Sequence, residues 1–331
     1  MPKPSRRQIL SALSTGFATL LAGCTAAPDE SNAASTATAG GNSPTEPTQS
    51  VPEFPGNTTS DACPTFDYTA QVVCYEAVDP EAMPVVLVPE TQTVQLDQPT
   101  DFTLRNRSGQ QFKMNFYNWQ LYKRVDGDWY HVMPQLVPEP LMSLESGEEH
   151  TWTLTVIRGR VSDGASVKGV EGTESLAVTA LGGGHYAFAA DGWFAAGSPQ
   201  DSIALAAGFD LNADPLQLTP TDAIAETEWD GETLVARSTR GEVGNDGDEH
   251  DAYILERIDD SEPDADQVII EQVVRDDQLR DAIALSREYD ADRVRIEEFT
   301  SATPPFKLDD SRIYGFRGER YQVTTRAGHS P

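Results

Sequence analysis

What this chain has least of is positive charge. Its 331 residues hold 24 Lys and Arg against 53 Asp and Glu, a net charge of −29. After Arg7 neither Lys nor Arg occurs again until Arg105. The shortage excludes nucleic acid as a partner, since nothing here could neutralise a run of phosphates. In dilute buffer so acidic a surface repels itself, whereas in molar salt the screening length falls to about 3 Å and the repulsion is muted. Carboxylates then hold water against the salt, and the long apolar stems of lysine become a liability. Beyond residue 23 only Lys113, Lys123, Lys168 and Lys307 are left. The rival for this composition is an acidic disordered chain. It is excluded by the aromatic, alternating segments described below, and the composition reads as adaptation to salt.

A bilayer-length apolar run is missing too. The uncharged stretch after Arg6-Arg7 is about 15 residues, where a membrane helix needs roughly 20. It is rich in Ser, Thr and Gly and ends in Leu21-Ala22-Gly23-Cys24. Paired arginines, a short apolar region and a small-residue cleavage point make an export signal. The segment resembles the signals of haloarchaeal lipoproteins exported by the twin-arginine route. That resemblance implies a lipobox at Leu21, Ala22 and Gly23, cleavage before Cys24, and a lipid on the Cys24 thiol holding the protein outside the cell membrane. Residues 24–62 are dominated by Ala, Ser, Thr, Gly, Asn and Pro, too few large apolar side chains to offset ordering entropy, and read as a disordered tether. Asn57-Thr58-Thr59 and Asn106-Arg107-Ser108 are candidate glycosylation sequons.

Cysteine is scarce: Cys24, Cys63 and Cys74 are all there are. With Cys24 lipidated, Cys63 and Cys74 form an even pair in an oxidising setting, expected to be a disulfide rather than two free thiols. The short loop it closes is worth about 3 kcal/mol in the chain-entropy account. A zinc site would need further ligands, and none lie near in sequence.

From about Met83 to Pro215 the pattern is one of short strands. Asp101–Leu104 alternates, and Tyr117, Trp119 and Leu121 place an apolar face at period two. Asp126-Gly127 marks a hairpin, Ser146-Gly147-Glu148 turns into Trp152, Leu154 and Val156, and Gly182-Gly183-Gly184 leads into Tyr186 and Phe188. The run FTLRNRSG…LYKRVDGDWYHV…LESGEEHTWTLTV…GGGHYAFAADGWF resembles bacterial-type immunoglobulin-like modules over about 130 residues. It departs from them in lacking an inter-sheet cysteine pair and in carrying an apparent insertion at 158–180. From 220 onward, strands are expected at 225–229 and 232–238 around Asp230-Gly231, at 252–258, 267–274 and 294–299, and as a hairpin about Arg317-Gly318. A helix over 276–289 would bury Leu279, Ala282, Ile283 and Tyr289. The expected fold class is therefore mostly β, with an immunoglobulin-like β-sandwich (63–219) followed by a small α+β domain (220–331). The whole resembles haloarchaeal lipoproteins of unassigned function.

No catalytic constellation stands out. His131, His150, His185, His250 and His329 lie apart, without a metal-binding pair. His131 and His185 read as satisfied strand residues. There is no Gly-x-Ser-x-Gly elbow or phosphate loop. The densest acidic run, 245–251, offers Asp246, Asp248 and Asp251 to a hard cation such as calcium, but lacks the EF-hand spacing and reads as a solvated loop. Trp119, Trp129, Trp152 and Trp193 with Tyr117, Tyr122 and Tyr130 read mainly as core, with a ligand-binding aromatic surface as the alternative. No cofactor is implied. The function expected is a binding or structural module at the envelope, with a surface-layer or envelope protein as partner. The alternative is a hydrolase or metal-dependent enzyme with its site between the two domains, recognisable by a polar cleft where histidines and carboxylates converge.

Overall fold

Apolar residues at every second position keep most of this chain extended. The computed structural model describes residues 50–66, 68–159, 173–241, 250–259, 265–300, 306–308 and 310–328. Arg6, Arg7, Leu21, Ala22, Gly23, Cys24, Asp246, Asp248 and His329 lie outside the described residues. Within the first half the strands are β1 (Gln71–Cys74), β2 (Val85–Pro89), β3 (Thr93–Gln95), β4 (Pro99–Asn106), β5 (Phe112–Met114) and β6 (Gln120–Val125). They continue as β7 (Asp128–Met133), β8 (Met142–Leu144), β9 (Glu149–Ile157), β10 (Ser175–Thr179), β11 (Gly184–Phe194) and β12 (Ile203–Asn212).

These strands make a β-sandwich. One sheet runs β10-β9-β4-β2; the larger is built on the antiparallel pair β11 and β12, with β6 and β5 beside β11, and β1 and β3 beside β12. Strands β4 and β9 bury every second residue, and Phe102, Leu104, Trp152, Leu154 and Val156 face the opposing sheet. There Phe102 stacks on Phe188 with centroids 4.6 Å apart, and Trp119 stacks on the same Phe188. Each such ring contributes a few kcal/mol by leaving water. The Trp152 indole, fully buried, donates to the Phe116 carbonyl at 2.9 Å. The hairpin β6–β7 turns through Asp126 and Gly127, both with positive φ (53° and 101°). That is the two-residue turn whose twist matches paired strands.

Two local expectations fail here for physical reasons. Residues 115–118 are not strand: the Asn115 side chain accepts from the Tyr117 N–H and its carbonyl accepts from the Asn118 N–H, closing a turn. Phe116 and Trp119 therefore both point inward while Tyr117 stays half-buried. Residues 50–62, expected as tether, lie against the sandwich. Phe54 packs on Phe194, the Thr58 carbonyl accepts from the Cys74 N–H at 2.8 Å, and Gln110 donates to the Ser50 carbonyl. Cys63 and Cys74 are disulfide-bonded. With Phe66 the bridge covers the small residues Ala189, Ala204 and Ala206 on the outer face of the larger sheet.

The second half adds β13 (Ile224–Asp230), β14 (Thr233–Ser238), β15 (His250–Ile258), β16 (Asp266–Gln267), α1 (Ile270–Val273), α2 (Asp277–Tyr289), β17 (Arg293–Phe299), β18 (Ser311–Phe316) and β19 (Glu319–Arg326). Its single sheet is ordered β13-β14-β17-β15-β19-β18-β16. The strand expected over 267–274 is instead a two-residue bridge followed by α1. The chain turns helical at Ile270, where the Gln272 side chain accepts from the Ile269 N–H. Asp276 caps α2 by accepting from the Leu279 N–H, and Asp290 ends it in the left-handed conformation. Helix α2 packs Leu279, Ala282, Ile283 and Leu285 on Leu255, Val294 and Ile296 of the sheet, while Tyr289 is exposed. Residues Gln49–Pro331 form one compact unit.

Candidate functional site

Where the sandwich meets the second half, four polar side chains are buried together. The Lys123 ammonium on β6 lies 2.5 Å from Glu271 Oε1 on α1. The same carboxylate accepts from the Gly182 N–H at 3.2 Å and the Tyr186 hydroxyl at 3.3 Å. Arg275 reaches back to donate to the carbonyls of Thr179 (2.7 Å) and Ala180 (3.0 Å), and closes on the Glu271 carbonyl at 2.6 Å. Gln272 donates to the His131 carbonyl. Burial lowers the Arg275 pKa to about 10, and burial next to the Glu271 charge holds the Tyr186 phenol protonated. Among the described residues no histidine side chain enters this network. The junction is a filled joint in which the carboxylate is neutralised by Lys123.

A second polar network lies under α2. Asp281 and Glu298, both fully buried, flank the Arg240 guanidinium at 2.6 and 2.5 Å. Thr221 donates to Asp281 through both its N–H and its hydroxyl, and Gln278 donates to Glu298. Acids tied down this fully are structural. Asp251 corrects the sequence reading. It sits on β15 opposite Glu298 with no solvent exposure, and accepts from the Thr300 hydroxyl and the Gly328 N–H, so it belongs to no solvated loop. Among the described residues the three side chains close enough to share a cation are Cys63, Cys74 and Glu76. The expectation that no further ligand lies near the cysteines therefore fails at Glu76. The sulfurs are bonded to each other, and Glu76 accepts from the Gly208 N–H at 2.7 Å.

An open pocket lies elsewhere, at the N-terminal end of α2. It encloses about 250 Å³ between Asp276, which caps α2, Gln278 of α2, Tyr253 of β15, Tyr314 and Arg312 of β18, and Phe306, Lys307 and Asp310. Its floor is dry: Tyr253 is 5% exposed and packs edge-on against Phe306, with centroids 5.6 Å apart. Burial and the nearby Asp276 charge raise the pKa of both Tyr253 and Tyr314, so both phenols remain neutral hydrogen-bond donors. At the mouth, Asp310 takes Arg312 at 2.8 Å and Lys307 at 3.8 Å. The Thr325 hydroxyl is engaged with the Lys307 carbonyl and the Asp310 N–H. Among the described residues no His, Cys or Ser lines the cavity. What it offers a ligand is aromatic rings, two carboxylates and two exposed cations. A local signal existed in the sequence, where Phe306, Lys307, Asp310, Arg312 and Tyr314 fall within nine residues. Only the fold adds Asp276 and Tyr253.

The four described histidines are dispersed and occupied. His150 stacks on Phe116 with its Nε2 2.7 Å from the Thr173 carbonyl, His185 pairs with Asp210 at 2.9 Å, and His131 packs on Tyr122. Burial lowers the pKa of His131 and His150. The ring of His250 lies against Phe299. Trp119 and Trp152 are core, while Trp129, Trp193, Tyr117, Tyr122 and Tyr130 are half-buried. Asn57 is exposed, its side chain bonded to Thr59. Asn106 is not a glycan acceptor in this fold: it is buried, and its amide donates to the carbonyls of Gln110, Leu144 and Glu145.

No protein-family model matches this chain, and a search of curated proteins finds no match. Among solved structures, the crystal structure of Spo0M, a sporulation control protein from Bacillus subtilis, is similar at 12% sequence identity with a TM-score of 0.21. The match covers 39% of this chain and spans about half (49%) of that one, a likeness too slight to carry an argument.

Proposed function

We propose that this chain is a binding or structural module of a halophile's cell envelope, exported by the twin-arginine route and held outside the membrane by a lipid on Cys24. The immunoglobulin-like sandwich presents its loops to an envelope or surface-layer protein. The observation that carries the reading is the filled joint. An enzyme working between the two halves needs a cleft where histidines and carboxylates converge, and that junction is packed with Lys123, Tyr186, Glu271 and Arg275. The sandwich also offers a contact loop after Pro134, on which Leu136 and Leu141 are among the most exposed large apolar side chains. The test is crosslinking on intact cells in native salt, followed by identification of the captured proteins. One recurring envelope protein, lost from the Leu136→Ser/Leu141→Ser variant, supports the module. A crosslinked sample indistinguishable from the uncrosslinked control refutes it.

A further inference from the structure

We propose that the pocket at the start of α2 binds a small ammonium carboxylate, a zwitterion whose cationic head points inward and whose carboxylate meets the rim. The polarity of the cavity sets that orientation. The Asp276 carboxylate lies within electrostatic reach of Tyr253 and Tyr314, and Phe306 packs on Tyr253. Aromatic faces and a carboxylate attract a desolvated ammonium, and methylated ammonium most of all because it loses little hydration. The rim reverses the sign. Lys307 and Arg312 are 74% and 52% exposed and, among the described residues, share the acid Asp310, leaving one positive charge to be met by a ligand carboxylate.

Two further observations agree. Among the described lining residues two acids stand with two bases, on a chain of net charge −29, and one of four lysines beyond residue 23 stands at the mouth. The volume, about 250 Å³, is at the small end for ligand sites and suits a molecule the size of an amino acid. In molar salt, charges separated by more than about 3 Å are screened. Ring contact and a direct ion pair then survive as the binding forces, and both are built into this cavity.

The experiment follows the methyl resonance of glycine betaine by saturation transfer, with calorimetry alongside, on the purified full-length protein in molar potassium chloride. Tetramethylammonium chloride and potassium acetate serve as the two half-ligands. Betaine saturates the protein at millimolar concentration, and each half-ligand binds at least tenfold more weakly. Arg312→Gln, at a half-exposed position whose folding is checked by melting, weakens betaine at least tenfold, as does Tyr314→Leu. Trp229→Phe, remote from the pocket, leaves binding unchanged. The proposal is overturned if betaine fails to saturate, if tetramethylammonium or acetate alone binds as well as betaine, or if folded Arg312→Gln binds betaine unchanged. The crosslinking result is independent of this pocket, so either reading can fail without the other.

Discussion

Lys123→Met removes the cation paired with Glu271 in the buried joint while keeping the length of the side chain. Glu271, fully buried, would keep its charge with only the Gly182 N–H and the Tyr186 hydroxyl as donors, and its Oε2 already has no hydrogen-bond partner. Stripping one partner from a buried pair costs about 3–5 kcal/mol when no counter-charge remains; here the Arg275 guanidinium stays in the joint beside Glu271, so the loss falls at the lower end, about 3 kcal/mol. For a body of this size that corresponds to a fall of roughly 6 °C in the melting midpoint. Adding Glu271→Gln removes the stranded charge, and the double variant recovers most of the loss. The assay is urea unfolding and thermal melting at two salt concentrations in the molar range, with the loss equal at both, since a buried pair is screened little. A loss below about 1 kcal/mol is the signature of an exposed pair. That outcome, or a double variant no better than the single, would refute the filled joint and reopen the case for a site between the halves.

Three other outcomes are expected. The melting midpoint of a soluble fragment starting at Gln49 rises steeply from 0.1 M salt (screening length about 10 Å) towards molar salt, and an unchanged midpoint would remove the physical basis of the halophile reading. Cys24→Ser releases the protein from the membrane fraction or leaves the precursor uncleaved, and unchanged detergent partitioning together with an unchanged mature mass would exclude the lipid anchor. Burial raises the Asp191 pKa to about 6, above its unfolded value, so ionising it costs the folded state stability as pH rises through that value. Asp191→Asn, which keeps the acceptor for the Asn118 amide 2.9 Å away, therefore stabilises the protein at pH 8, with the gain shrinking as pH falls from 6 towards 4; a gain independent of pH would disprove the assignment.

The sandwich was legible because its evidence is local. Trp152, Leu154 and Val156 alternate, and Asp126-Gly127 can satisfy two positive φ angles, so strand and turn follow without knowledge of neighbours. Misreadings came where side chains overrode the period. Asn115 closes a turn in the middle of an alternating run, and the β-branched run Val268-Ile269-Ile270 with Val273-Val274 reads as strand, yet Ile270–Val273 becomes helix at the joint. Asp251 looked like one acid among many in a solvated run, because sequence cannot show that β15 carries it under the helix layer. The pocket was half legible: its rim is contiguous, whereas Asp276 and Tyr253 reach it only through the packing of α2 against β15.

The Cys63–Cys74 bridge has a mechanical consequence. Tension applied from the N-terminal side, once the contacts of Ser50, Phe54 and Thr58 with the sandwich give way, reaches Cys63 and crosses the covalent bond directly to Cys74. Gln71 and Val72 lie outside that path, so the pairing by which they run parallel to β12 (Gln71 to Ile203, Val72 to Ala204) carries none of the load. The pull enters instead at the turn Tyr75–Ala77 and passes on to β2, a strand paired antiparallel to β4 with Val85, Val86 and Leu87 sunk in the core. Past the bridge, a pull from the N-terminal side is thus gripped at the packed interior rather than at the edge strand β1.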